Sequence, residues 1–274
     1  MILDIMRKEI KEIVKTKRLL VIVILFVVAA IAMAIYFGHF MEQGPNEMIS
    51  STFFVIILMF VSLLPLILTY DSIAGERSRG SLSLVFSKPV GRGQIFAGKF
   101  LGIFFFTGVM FFIVASFGYW LNAAISQEFP SASEVAAAYK LFSAVLLVIA
   151  CWVSFAMLFS TCFKSPVVSL ITVLILWIMV LPMISQMGVG IYLEQQGFND
   201  DLPEPEEITF PVWVKLLYAV NPDRCITALV GHFLGFFLFD FPVLTIGQAI
   251  SAMFIFAGVF FIPALWLFRR LSLE

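Results

Sequence analysis

Charged residues are scarce in this chain. Of its 274 residues only 13% are Asp, Glu, Lys or Arg, whereas 61% are hydrophobic. A soluble domain carries about 25% charged and about 45–50% apolar residues, so a water-soluble globule is excluded and lipid is the expected solvent. The formal net charge is −1, with 17 basic and 18 acidic residues. This balance gives no sign of a nucleic-acid partner, and none is expected.

Cysteine and histidine are scarce as well. The chain has three cysteines, Cys151, Cys162 and Cys225, which form no CxxC pair and indicate neither a disulfide framework nor a zinc site. Cys225 and His232 are seven residues apart, on one helical face, and a role for this pair in holding a soft metal stays open. We expect no resident metal and no cofactor.

Long apolar runs, in contrast, are abundant. A helix crosses a membrane with about 20 residues at about 1.5 Å per residue. Six runs qualify, namely residues 19–37, 51–70, 100–121, 141–160, 167–187 and 245–267. The first run is longer than the core of a secretory signal, which has about 7–15 residues, so it predicts an uncleaved span. We therefore predict an all-α membrane protein with a six-helix transmembrane domain over residues 19–267.

The basic residues predict the orientation of these spans. If the N-terminus lies inside, 14 of the 17 Lys and Arg residues fall on the inner side. They occupy residues 1–18, the connection 71–99, position 164 and the tail 268–274. Because short loops rich in Lys and Arg stay in the cytoplasm, we predict a multi-pass protein of the cytoplasmic membrane with both termini cytoplasmic.

The outer region, residues 188–244, contains one further apolar run. If residues 226–239 formed a seventh span, Arg269 and Arg270 would move outside, against the positive-inside rule. We therefore predict a short re-entrant or interfacial helix on the outer side, and the choice between the two stays open. The acidic stretch before it, residues 194–207, is typical of a solvated loop.

The first 18 residues predict an amphipathic helix. At 100° per residue, six apolar side chains fall within an arc of about 120°. The basic side chains lie on the other side: Arg7, Lys8, Lys11, Lys15 and Arg18. This pattern predicts an interfacial helix on the inner leaflet. A basic flank that only fixes the orientation is the alternative.

The connection 71–99 is a second inner element. It is too long for a simple turn and too short to fold alone, so we expect short helices that rest on another part of the complex. A break is predicted at Ser87-Lys88-Pro89, because the residue before proline avoids the helical region. Its end resembles the phosphate loop GxxxxGK, but Phe100 replaces the required Ser or Thr and no strand precedes it. Nucleotide binding is not expected here.

The predicted spans lack ionisable residues altogether. None contains Asp, Glu, Lys, Arg or His. An ion-coupled carrier keeps such groups at membrane depth, and an intramembrane enzyme needs a nucleophile with a basic partner. Both classes are disfavoured. The chain is therefore expected to be a membrane subunit that is driven by another protein, and a membrane anchor or assembly factor without transport activity is the alternative.

The sequence of the inner connection resembles a family signature. Residues 76–95 read ERSRGSLSLVFSKPVGRGQI and residues 98–102 read GKFLG. This pattern after the second span is similar to that of ABC-2 type ABC transporter permeases. It looks closest to the branch of the permeases associated with multicopper-enzyme maturation and sodium efflux.

The resemblance implies a permease subunit without catalytic activity of its own. Two permease copies, or one copy and a paralogue, would each bind a separately encoded cytoplasmic ABC ATPase, and we expect an exporter. The resemblance assigns ATPase coupling to Glu76, Arg77, Arg79, Gly80, Ser87, Pro89, Arg92 and Lys99. Within the spans, Pro65, Pro182 and Pro263 would allow kinks that serve gating or only packing.

Overall fold

The structure is a computed structural model that describes residues 2–15, 17–50, 52–81, 90–195, 210–234 and 243–271. In these ranges the helices are α1 (Ile2–Lys15), α2 (Lys17–Ile35), α3 (Pro45–Ser50), α4 (Thr52–Thr69), α5 (Ala74–Ser78), α6 (Arg92–Ser126), α7 (Ala132–Cys162), α8 (Pro166–Gln195), α9 (Val212–Ala219), α10 (Pro222–Leu234) and α11 (Ile246–Arg270). The predicted break at Ser87 and Pro89 and most of the acidic stretch lie outside the described residues.

Five described helices are long and apolar enough to cross a membrane. They are Val21–Phe40, Arg92–Ser126, Ala132–Cys162, Pro166–Gln195 and Ile246–Arg270. The predicted all-α membrane fold is thereby confirmed. The 18-residue helix α4 lies where the second span was predicted, and the total of six spans stays a prediction.

Helix α7 lies at the centre of the bundle. In its most apolar stretch 67% of the residues are buried, against 17–39% in the other four candidate spans. Its Trp152 and Phe155 pack edge-on or stacked against Phe256 and Phe260 of α11. A capping box between Ser131 and Glu134 fixes where the helix begins. Elements that contact α7 are therefore held by the most buried of these five candidate spans.

Helix α6 is longer than a bilayer requires. Its 35 residues extend about 52 Å at about 1.5 Å per residue, whereas the hydrocarbon core is about 30 Å thick. The first turns pack against α1, and the last turns pack against the outer end of α2, where the Asn122 side-chain amide donates to the Ala34 carbonyl at 3.3 Å. One helix thus reaches from α1 to the C-terminal end of α2.

The three prolines of interest lie inside long helices. Pro65 lies in α4 and Pro263 in α11. Pro182 lies two residues after the end of a π-helical turn, Leu176–Val180, in the middle of α8. A proline cannot donate to the preceding turn and its ring crowds that turn, which accounts for the wider turn here. Whether these sites serve gating stays a prediction.

Candidate functional site: the inner junction

A buried lysine joins three inner elements. The Nζ atom of Lys99, in the second turn of α6, donates to Glu9 Oε1 of α1 at 2.7 Å and to Glu76 Oε1 of α5 at 2.8 Å. Only 2% of Lys99 is exposed. We call Glu9, Glu76 and Lys99 the inner junction. It fixes the N-terminal helix and the inner connection to the start of a membrane-spanning helix.

Two glycines allow α1 to approach α6 this closely. Gly98 and Gly102 flank Lys99 with the spacing GxxxG, which typically permits close contact between helix backbones. A Cβ atom on Gly98 would lie 2.6 Å from the Ile5 side chain, and one on Gly102 would lie 2.9 Å from the Glu9 Cβ. The small residues therefore bring the Glu9 carboxylate within reach of Lys99.

The junction carries one more negative than positive charge. Glu9 and Glu76 together bring two carboxylates to one ammonium group, and Glu76 Oε2 is buried without a hydrogen bond in the described chain. The resemblance assigns both Glu76 and Lys99 to ATPase coupling, and this role stays a prediction. The structure places their charged groups beside Glu9, a partner that the sequence pattern did not indicate.

Ser160 of the central helix α7 holds the inner connection from the other side. Its hydroxyl accepts hydrogen bonds from the backbone N–H groups of Ile73 and Ala74 at 3.2 and 3.1 Å, and donates to the Tyr70 carbonyl at 2.9 Å. These backbone groups belong to the turn between α4 and α5 and would otherwise lack partners at a helix end. One buried hydroxyl thus attaches this turn to α7.

Replacing Ser160 with alanine is expected to destabilise the protein by about 1–3 kcal/mol, because two buried N–H groups lose their acceptor. The midpoint of thermal unfolding of the detergent-solubilised protein measures this effect. Ser154→Ala is the matched control, since Ser154 is similarly buried in α7 and, among the described residues, its hydroxyl donates to the Ala150 carbonyl of its own helix. Equal midpoints for the two variants would contradict the role assigned to Ser160.

The end of α5 is an exposed part of the inner connection. Ser78, Arg79 and Gly80 are exposed, and Arg77 is partly buried. Arg79 makes a 3.4 Å ion pair with Asp71, with 60% of its side chain still accessible. Gly80 has a φ of 69°, a left-handed conformation that glycine adopts without strain at a helix end. This end therefore presents guanidinium groups and an unobstructed backbone on the surface.

Arg92 contacts the tail of the chain. Its guanidinium donates to the Arg269 and Leu271 carbonyls, both at 2.8 Å. These carbonyls lie at the C-terminal end of α11, where a cation is favourable because of the helix dipole. The predicted coupling residue Arg92 thus joins the inner connection to the last helix as well as lying near the inner surface.

The predicted basic side chains of α1 lie on its surface. Arg7, Lys8, Lys11 and Lys15 are all exposed, and Lys8 pairs with Glu12 at 3.2 Å. An open cavity of about 460 Å³ lies between α1 and the inner connection, and charged side chains of both elements line it. The inner face thus combines charges of both signs around one cavity.

The structure places an unexpected carboxylate from the predicted outer region among the spans. Asp223, at the start of α10, accepts hydrogen bonds from Ser62 of α4, Trp152 of α7 and Trp177 of α8. The sequence predicts Asp223 in the outer region, residues 188–244, outside the six spans. The available signal was Asn221-Pro222, an N-cap residue followed by proline at the first helical position, which marks a helix start before Asp223.

The predicted outer helix begins earlier than expected, at Pro222 rather than at residue 226. Residues 235–242 lie outside the described part. Cys225 is buried and donates to the Ala219 carbonyl at 3.6 Å, while His232 Nε2 lies 2.8 Å from the Leu244 carbonyl oxygen. Each side chain has a backbone carbonyl as a partner, and a shared metal role for the two stays open.

Two curated relatives match part of the chain. The "Probable ABC transporter permease protein NosY" of Stutzerimonas stutzeri is 37% identical over 102 residues, and the protein of the same name from Pseudomonas aeruginosa is 35% identical over 101 residues. Each match covers 36% of this chain, and the chain spans 37% of the length of these relatives. The similarity is therefore regional.

A family model covers far more of the sequence. The model of the ABC-2 family transporter proteins matches residues 3–273, from α1 to beyond α11. It includes the inner connection on which the resemblance rested, so that resemblance is confirmed. The family comprises membrane subunits of ABC transporters, which associate with an ATPase subunit. From these matches and the bundle of apolar helices, we conclude that the chain belongs to the ABC-2 family of transporter proteins.

Proposed function

We propose that this chain is the permease subunit of an ATP-driven exporter in the cytoplasmic membrane. A separate ABC ATPase binds its inner face, and the chain works together with a second copy or a paralogue. Both termini lie in the cytoplasm. The chain has no catalytic activity of its own, and the energy comes from ATP hydrolysis in the partner.

The observation that carries this proposal is the inner junction. Lys99 ties α1 and α5 to the first turns of α6 through two short, buried ion pairs. A force applied to either inner element would therefore act on a membrane helix directly. Buried ion pairs contribute little net stability compared with apolar packing. A junction that transmits motion gives a reason for this arrangement.

The exposed charges next to the junction are the proposed docking surface. Arg77 and Arg79 lie at the end of α5, and Lys8 and Lys11 lie on the neighbouring helix α1. Charges at the rim of an interface raise the association rate and make binding sensitive to salt. Ser87 and Pro89, outside the described residues, belong to the same proposed surface.

Charge reversal of the α5 arginines, Arg77→Glu with Arg79→Glu, is expected to weaken ATPase association by about tenfold or more, because like charges across an interface cost several kcal/mol. Co-purification of the ATPase with the tagged full chain from native membranes measures the effect at low and at high salt. Arg92 is left unchanged in this variant, since its reversal would also break its contacts with the α11 carbonyls.

The matched control is Lys140→Glu, a charge reversal at an exposed position near the start of α7, on the predicted outer side. It should leave association unchanged. If the double reversal binds the ATPase as well as the unmodified chain at every salt concentration, the docking surface is wrong. If the unmodified chain brings down no ATPase, the chain is an anchor or assembly factor instead.

A further inference from the structure

The outer helices α9 and α10 form a hairpin whose turn is inserted between the spans. Its turn contains Asn221 and Pro222, and both residues are buried. Asp223 at this turn bonds to Ser62, which precedes the end of α4 by seven residues, and to Trp152, which precedes the end of α7 by ten. At about 1.5 Å per residue these levels lie about 10–15 Å from the inner helix ends. The turn therefore reaches the middle of the bundle.

Both oxygens of the Asp223 carboxylate are held by donors. Oδ1 accepts from the Ser62 hydroxyl at 2.8 Å and from the Trp152 indole N–H at 3.0 Å, and Oδ2 accepts from the Trp177 indole N–H at 3.1 Å. An indole nitrogen donates and cannot accept. A carboxyl group offers an acceptor oxygen to each indole, whereas an amide would place a donor against a donor.

The helix that holds the hairpin also holds the inner connection. Trp152, which binds Asp223, and Ser160, which binds the Ile73 and Ala74 backbone, are eight residues apart on α7. At 100° per residue they differ by about 80° around the helix, and by about 12 Å along it. Helix α4 repeats the pattern, with Ser62 bound to the hairpin and the Tyr70 carbonyl just beyond its inner end bound to Ser160.

We propose that Asp223 is a positioning residue for transport: it holds the turn of the outer hairpin in a closed position between α4, α7 and α8, and motion of the inner connection, passed along α7, releases it. This inference rests on the proposed function, because the motion originates in the ATPase. In the resting state the hairpin closes the outer half of the bundle. In each cycle the three hydrogen bonds break and the turn withdraws.

The first experiment tests the closed position in the permease alone. Cys225, two residues after Asp223, is fully buried, so its reaction with a maleimide reports release of the turn. In a full-length Cys151→Ala, Cys162→Ala background, Asp223→Asn is expected to label about tenfold to hundredfold faster, since the amide leaves the buried Trp177 indole N–H without an acceptor. Trp177→Phe and Ser62→Ala, which each remove one donor, should give smaller increases.

The matched control is Thr227→Val, which removes a hydroxyl that bonds only to partners within the hairpin, the Arg224 carbonyl and the Tyr218 hydroxyl. It should label at the rate of the unsubstituted background. If Asp223→Asn misfolds, the two single-donor variants decide the matter. Labelling of these variants at the control rate would overturn the closed position.

The second experiment tests the link to the inner side, with the permease–ATPase complex in lipid vesicles. Addition of ATP should speed Cys225 labelling, and Ser160→Ala should abolish this acceleration when each variant is compared with its own rate in the absence of ATP. A purely structural role of Asp223 would not produce this pattern. If the ATPase binds but ATP leaves labelling unchanged, the inference fails while the proposed function stands. If no ATPase binds, the proposed function fails, and with it the link, whereas the first experiment still decides the closed position.

Discussion

Replacing Lys99 with methionine is expected to destabilise the protein by about 3–5 kcal/mol, because two carboxylates then remain buried without a cation. Glu9 Oε1 and Glu76 Oε1 each lose a charge-assisted hydrogen bond of 2.7 or 2.8 Å. The measurement is the thermal unfolding midpoint of the detergent-solubilised chain, together with its yield from membranes. Lys140→Met serves as the control, since Lys140 is exposed.

A triple replacement separates stability from coupling at the inner junction. Glu9→Leu, Lys99→Met and Glu76→Leu together remove every charge, and apolar groups of similar volume often restore or exceed the original stability. The triple variant should therefore be stable. In the permease–ATPase complex, however, we expect ATP to speed the labelling of Cys225 less in this variant than in the unmodified chain. If Lys99→Met is as stable as the unmodified chain, the junction does not hold the helices together.

Replacing Gly98 and Gly102 with valine is expected to displace α1 from α6. The new Cβ atoms would lie 2.6 and 2.9 Å from side-chain atoms of Ile5 and Glu9. The contact on Gly98 involves the branched Ile5 side chain close to its backbone, so the helix itself must move. Overpacking of this kind costs about 1–3 kcal/mol or more per site. Displacement of α1 also draws Glu9 away from Lys99. The loss of stability should therefore exceed the cost of overpacking alone.

Protease sensitivity of the first 18 residues measures this displacement. The unmodified chain should resist cleavage within α1, whereas the glycine variants should be cut there quickly. Gly258→Val is the matched control, because a Cβ atom at Gly258, in the candidate span α11, meets nothing within 4 Å. Equal cleavage of the control and the double variant would show that close helix contact is not required for docking.

The spans were predictable because their signal is local. An uninterrupted apolar run of about 20 residues needs no information on its neighbours, and the amphipathic α1 is likewise visible from periodicity alone. The partner of Lys99 was not predictable in the same way. Glu9 lies 90 residues away in sequence, at the edge of the apolar arc of α1, where it reads as an ordinary surface residue. Only the packing of α1 on two glycines brings it to Lys99.

The depth of Asp223 was hidden for a different reason. Asp223 lies in the predicted outer region, residues 188–244, and the predicted spans contain no charged residue. The carboxylate enters the bundle on a hairpin that does not cross it, and its three donors come from three separate helices. A sequence pattern within one segment does not predict contacts between side chains of four separate helices. The short signal Asn221-Pro222 marked the helix start but not its position in the bundle.

The most direct test of the account is ATP hydrolysis by material purified through this chain. The tagged chain, isolated from native membranes in mild detergent, is predicted to carry an ABC ATPase and to hydrolyse ATP, and the activity should fall at least about tenfold when Arg77 and Arg79 are both replaced by glutamate. Purified chain that is folded but carries no ATPase and hydrolyses no ATP would contradict the assignment as the membrane subunit of an ATP-driven transporter.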